Sequence, residues 1–224
     1  MTWTDGSSAG LLPRLLVLTD RTLVPAGRDL TSILAAAVRG GARAVVLRER
    51  DLPTPDRAAL AEQVQALLSP VGGVLLFASA APPAMTCPLV GLHLRSTEPP
   101  PPARPRVLGR STHSADEVLR AAAEGCDYVT LSPVARTRSK PGYGPSLGAA
   151  GLGRVLAQAG RAGAHLPAVF ALGGIDEHNA ASFLQAGARG VAVMGSVMRS
   201  PDPEHTLTAL LSAVRTQAPA AVAT

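Results

Sequence analysis

Four features of this chain carry residue types that can do chemistry, and the first is a pair of glycine turns. Ala171-Leu-Gly-Gly-Ile175 and Met194-Gly-Ser196 each set glycine at the end of an aliphatic run. Main-chain N–H groups at such turns, aided by a helix N-terminus, cradle an anion, because glycine lets a phosphate approach without a Cβ in the way. Gly173, Gly174, Gly195 and Ser196 are therefore candidate phosphate ligands, the alternative being that they are tight turns and nothing more. In Val46-Leu-Arg-Glu-Arg50, strand alternation puts Arg48 and Arg50 on one side and Glu49 on the other. Two guanidinium groups on one side suit a di-anionic or pyrophosphate group through bidentate donors. A strand-end salt bridge with Asp20 or Glu49 is the competing expectation.

The third stretch is the long loop from Ser132 to Ser146, rich in hydroxyls, cations and glycine. It reads as a lid that would supply Thr137, Ser139 and Lys140 to an anion, or else as a solvated surface loop. The fourth is Gly109-Arg-Ser-Thr-His-Ser114. Histidine titrates near neutrality and can both give and take a proton, so His113 is a candidate general acid/base, with a structural histidine as the alternative. His93, His165, His178 and His205 read as structural.

Positioning these groups requires a frame, and the chain supplies a repeating one. Short aliphatic runs recur at Arg14–Leu18, Ala44–Leu47, Val74–Ala78, Val90–Leu94, Arg106–Gly109, Asp127–Leu131, Ala168–Leu172 and Gly190–Met194. Helical periodicity fills most of the intervals, at Leu30–Arg39, Pro55–Leu68, Ala115–Ala123, Leu147–Ala159, Glu177–Ala186 and Pro203–Val214. Thr54 ahead of Pro55 reads as an N-cap, Ser114 with Glu117 as a capping box, and Gly125, Gly163 and Gly187 as helix stops. Eight continuous apolar strands alternating with helices predict an α/β fold, a single (β/α)8 TIM barrel. The helices after strands three and four are expected to be degenerate: only Pro82–Pro88 has room for a short helix, and Glu98–Pro105 is too rich in proline for any. Domain boundaries follow as a flexible N-terminus at 1–12, the barrel at 13–215 and a flexible tail at 216–224. All four chemical stretches then sit just beyond strand ends, where barrels of this kind build their sites and where strands seven and eight often hold a phosphate.

Composition narrows the classes. Hydrophobic residues make up 46% of the 224 and charged residues 17%, with no block of like charge, which describes a compact globular chain. Apolar runs are broken well short of the roughly 18 residues a membrane span needs, and no basic-then-apolar leader opens the chain, so a cytoplasmic protein with no membrane partner is expected. The formal charge of +5 raises nucleic acid as a partner, but the arginines are scattered and aromatics are 3%, so none is expected. Cys87 and Cys126 lack metal-binding spacing and read as thiols; no metal site is expected. A homo-oligomer is compatible with the sequence.

Taken together, Leu18-Thr-Asp20, Leu47-Arg-Glu-Arg50, Gly109-Arg-Ser-Thr-His-Ser114, Asp127-Tyr128, the Thr137-Arg-Ser-Lys140 loop, Ala171-Leu-Gly-Gly-Ile175 and Gly190-Val-Ala-Val-Met-Gly195 resemble the thiamine phosphate synthase and thiazole tautomerase (TenI) superfamily. The resemblance runs from Leu16 to about Arg215. It implies that Gly173, Gly174, Gly195 and Ser196, with Thr137 and Ser139, hold a thiazole phosphate, and that Arg48, Arg50, Ser111 and Lys140 line the pyrimidine or pyrophosphate side. Synthases of this superfamily typically carry Asn-Asp after strand three and another Asp soon after strand four to hold Mg²⁺. This chain has Ala78-Ser79, then Leu94-Arg-Ser-Thr-Glu-Pro99, and Val46 stands where synthases often have Gln. The expectation is thus a thiazole tautomerase with His113 as general acid/base and no cofactor. The alternatives are a thiamine phosphate synthase, which would bring in Mg²⁺ and release pyrophosphate, and a non-catalytic binder of thiazole or thiamine phosphate.

Overall fold

The computed structural model describes residues 12–79, 91–136, 145–163 and 165–215. Its eight strands are β1 (Leu15–Leu18), β2 (Ala44–Leu47), β3 (Val74–Ala78), β4 (Gly91–Leu94), β5 (Leu108–Thr112), β6 (Tyr128–Leu131), β7 (Ala168–Leu172) and β8 (Gly190–Val193). All pair in parallel with their sequence neighbours, and β8 returns to β1 with Leu16 opposite Ala192, closing the barrel. This is the expected TIM barrel.

Closure explains why most of the strands are apolar on both faces, since alternate side chains face two separate cores. Leu16, Leu18, Ala44, Val46, Leu76, Ala78, Tyr128, Phe170 and Ala192 fill the barrel interior, joined at the bottom by Leu12. Val17, Val45, Leu47, Leu75 and Phe77 point outward and pack with helix residues such as Ile33, Leu34, Val64 and Leu207. Each such fully buried aliphatic side chain contributes roughly 1.5–3 kcal/mol.

The helices are α1 (Leu30–Arg39), α2 (Thr54–Leu68), α3 (Ala115–Ala123), α4 (Gly148–Gly160), α5 (Ala180–Gln185), α6 (Gly195–Met198) and α7 (Pro203–Arg215). Asp29 caps α1 by accepting the Ser32 N–H at 2.7 Å. Thr54 is not the cap of α2: the helix starts on it, Pro53 precedes it, and no side chain caps that end. α5 begins three residues later than periodicity suggests, because Asp176 takes the N–H groups of His178 and Asn179 into a local turn first. The short α6 escapes a reading of periodicity altogether. Gly125, Gly163 and Gly187 do end helical runs, each at positive φ.

No helix lies between β4 and β5, as the proline content of that loop requires, whereas Pro82–Pro88 falls outside the described residues. The flexible ends assigned to 1–12 and 216–224 fall outside them too, apart from Leu12. Cys126 is buried with a free thiol. Among the described residues, no helix is long and apolar enough to cross a membrane.

β5 departs most from expectation, running to Thr112 instead of stopping at Gly109. Its polar second half hides the strand from a search for apolar runs. Gly109 lies under the ring of Tyr128, which occupies the space a Cβ would need. Arg110 is 2% exposed, and its Nη1 donates to the carbonyls of Arg95, Ser96 and Glu98 while Nη2 pairs with Glu124. The consequence for the site is direct: Ser111 belongs to the strand, and His113 is the first residue beyond it.

Candidate active site

The β7 and β8 corners lie side by side because Leu172 pairs with Ala192. Gly173 and Gly174 have φ of 103° and 66°, values an L side chain rarely adopts. The space a Cβ would take at each is occupied by the chain itself. A Cβ on Gly174 would strike the Arg136 carbonyl, and one on Gly173 would sit 3.3 Å from Pro133. Residues 133–136 are laid across this corner, with Val134 and Ala135 donating their N–H groups to the Leu172 and Gly173 carbonyls at 3.0 Å. The passing chain therefore gives glycine a steric reason to stand here, beside the anion cradle expected from sequence. Asn179 Nδ2 donates to the Gly174 carbonyl at 2.8 Å and fixes the corner from below. Gly195 and Ser196 form the first turn of α6, where main-chain N–H groups have no partner within their own helix. Thr137, Ser139 and Lys140 lie outside the described residues.

Beyond β1 and β2, a cleft of about 290 Å³ is lined by Thr19, Asp20, Thr22, Arg48, Glu49, Arg50 and Asp51. Alternation beyond β2 holds as read: Glu49 is 3% exposed and turns away to Arg21, accepting its main-chain N–H and its Nη1. Glu49 thus pairs with Arg21, and the strand-end pairing expected of the two arginines is found as Arg48 with Asp20. Arg48 comes only within 4.0 Å of Asp20, whose carboxylate also accepts from the Thr22 N–H and hydroxyl. Thr19 Oγ1 accepts the Arg48 main-chain N–H, and Arg48 Nη1 reaches the Met194 sulfur, so this guanidinium extends over the barrel mouth toward β8.

Arg50 has a different setting. Its Nε is buried with no hydrogen-bond partner among the described residues. Burial, then the charges of Arg95 and Arg48, push its pKa down to about 10, with Glu98 acting in the opposite direction. It remains protonated at neutral pH. Arg95 continues the inward register of β4 and was passed over as a site residue, although its place just after a strand was the available signal. Arg57 was also missed: it is buried on α2, donates Nη2 to the Ala78 carbonyl at 2.6 Å and lies over the Phe77 ring.

His113 is half-buried at the end of β5. Its Nδ1 is 2.7 Å from the Ser132 carbonyl, and because a carbonyl can only accept, Nδ1 carries the proton. In the neutral ring Nε2 is then the basic nitrogen. The capping box forms in altered shape: Ser114 Oγ accepts the Glu117 N–H at 3.2 Å, while the Glu117 carboxylate takes the His113 N–H at 2.7 Å. Beneath it, Ser111 Oγ is 3.0 Å from His93 Nε2, and His93 Nδ1 is 2.9 Å from the Tyr128 hydroxyl. Burial first, then Arg50, Arg48 and Arg110, push the His93 pKa down to about 3, so it is neutral at ordinary pH. Burial also raises the Tyr128 phenol well above its ordinary value and keeps its proton on.

The donor set does not suit Mg²⁺. That ion needs several hard oxygens in octahedral array. Residues 72–97 contain no Asp or Glu. Glu98 Oε2 already accepts the Ser79 hydroxyl at 3.0 Å and the Arg95 N–H at 3.1 Å, and Arg50 and Arg95 stand beside it. No group of three His, Cys, Asp or Glu side chains placed to hold a metal occurs among the described residues.

The chain is 34% identical over 200 residues to a thiamine-phosphate synthase of Roseiflexus sp. (strain RS-1), covering 87% of this chain and 82% of that one. With the thiamine-phosphate synthase of Roseiflexus castenholzii it shares 36% over 202 residues, 87% of this chain and 85% of the relative. The solved thiamine phosphate pyrophosphorylase from Pyrococcus furiosus superposes with a TM-score of 0.75 at 25% identity, covering 91% of this chain and 96% of that one. These names favour the synthase alternative over the tautomerase expected from sequence. A family model described as thiamine monophosphate synthase (TMP-TENI) matches residues 15–197, and the chain belongs to that family.

Proposed function

We propose that this protein is a thiamine-phosphate synthase, joining a thiazole phosphate to a pyrimidine diphosphate. The observation that carries this reading is the presence of two anion-suited sectors on one barrel mouth: the N–H groups of the β7 and β8 corners, and the arginines beyond β2 and β4. The thiazole phosphate would dock on Gly173, Gly174, Gly195 and Ser196, with Thr137 and Ser139 as further ligands. Arg48, Arg50, Ser111 and Lys140 would face the diphosphate. Attack by the thiazole nitrogen on the pyrimidine methylene forms a C–N bond and breaks the C–O bond, and diphosphate leaves with the electron pair. Guanidinium groups fixed beside that leaving group are worth most as its charge grows. The named relatives and the TMP-TENI match support this assignment.

A second reading, the thiazole tautomerase, draws on His113. Its Nε2 would take a proton from a carboxylated thiazole phosphate and return it to another ring position, leaving the glycine corners to grip the phosphate. The fixed tautomer and the missing carboxylates favour it.

The test is to incubate the purified protein with both substrates, then with the thiazole alone, with and without Mg²⁺. Thiamine phosphate and stoichiometric pyrophosphate are expected. Tautomerisation without coupling would replace the first reading by the second, and thiazole phosphate binding without turnover would leave a binding protein.

A further inference from the structure

We propose that the β2–β4 sector of the mouth takes a diphosphate without any divalent cation, Arg95 joining Arg48 and Arg50 to supply the charge a metal would bring. The inference rests on the synthase reading and concerns how that same site handles its second anion.

Three observations converge. First, the stretch from residue 72 to residue 97, which contains β3, β4 and the loop between them, has no carboxylate to offer a hard cation. The first acid after it, Glu98, spends Oε2 on the Ser79 hydroxyl and the Arg95 N–H. Ser79 is itself held at a φ of 67°, so the end of β3 is shaped to deliver that hydroxyl to Glu98. Second, Arg50 keeps a buried Nε without a partner among the described residues, an arrangement that costs free energy until an acceptor arrives. Third, its neighbours are mostly cations. Arg95 opposes its charge most strongly, followed by Arg48, and Arg57 also weakens it, against Glu98 alone in its favour.

The nearby acids do not cancel this excess. Glu49 and Asp51 are both engaged by Arg21, Asp51 through a bidentate pair at 2.6 and 2.7 Å, and Asp20 is 4.0 Å from Arg48. A dication placed among these arginines would be repelled. A diphosphate would relieve the repulsion and satisfy the orphaned Nε together. Arg110 positions Arg95 from beneath, since its Nη1 holds the Arg95, Ser96 and Glu98 carbonyls.

The experiment uses the full chain and inorganic pyrophosphate, with binding followed by calorimetry in EDTA and again in Mg²⁺. Binding in EDTA is expected, weakened by about tenfold or more in Arg50→Gln and in Arg95→Gln, as loss of one charge-assisted contact implies. Arg95 is exposed, so that variant tests the idea even where Arg50→Gln fails to fold. Pyrophosphate binding that appears only with Mg²⁺, or that is unchanged in Arg95→Gln, overturns the proposal. Metal-free binding without formation of thiamine phosphate would remove the synthase reading while leaving the arginine site in place.

Discussion

The imidazole Nδ1–H of His113 donates to the main-chain carbonyl of Ser132 at 2.7 Å, tying the end of β5 to the end of β6. Two residues further on, Val134 and Ala135 tie the same loop to the β7 corner. A single stretch of backbone thus links His113 to the glycine pair.

The first prediction concerns that glycine pair. Gly174→Ala forces a side chain into the Arg136 carbonyl at positive φ, and a loss of about 2–4 kcal/mol is expected in urea unfolding. Gly163→Ala, at similar φ but in open space, should cost only about 1 kcal/mol. Equal losses would show that the passing chain imposes no constraint.

Removing the carboxylate that holds His113 should have a smaller, local effect. Glu117→Ala is expected to lower stability by about 1 kcal/mol, as the loss of one half of a helix cap does. Its clearer signature is the His113 ring, whose NMR signals should broaden or shift relative to wild type.

His93 gives a pH dependence of definite sign. Its folded pKa of about 3 lies below the ordinary value, so between roughly pH 6.5 and 3 the unfolded chain binds a proton that the native state refuses. This group therefore adds stability above pH 6.5 and withdraws it as pH falls, by at most about 1.4 kcal/mol per unit. His93→Gln, which offers a donor and an acceptor to Tyr128 and Ser111, should show a shallower decline between pH 6 and 4. A parallel decline in the two proteins would remove the assignment.

Arg110→Met should be the costliest single change at β5. It leaves Glu124 without its cation and three loop carbonyls without their donor, for an expected loss of about 3 kcal/mol. Faster hydrogen exchange at residues 95–98 would accompany it.

The barrel was legible because its strands are aliphatic on both faces, and three of the eight, β2, β3 and β7, have the bounds read from sequence. β5 was mislaid because its strand pairing is carried by Arg110, Ser111 and Thr112, whose partners lie far away in the chain. The same blindness hid Arg57. Nothing local distinguishes an arginine that braces the Ala78 carbonyl from one that stands in solvent. Glycine turns and the arginine pair were readable from residue type and spacing, whereas the steric constraint on the glycines comes from a segment about forty residues away.

That crossing of residues 133–136 over Gly173 and Gly174 bears on anyone who would transplant the corner. The double glycine is half of a joint, and its other half arrives from the preceding strand's loop. Grafted alone onto a different barrel, the pair would be an unbraced hinge. Moved together with its crossing strap, it would keep its shape.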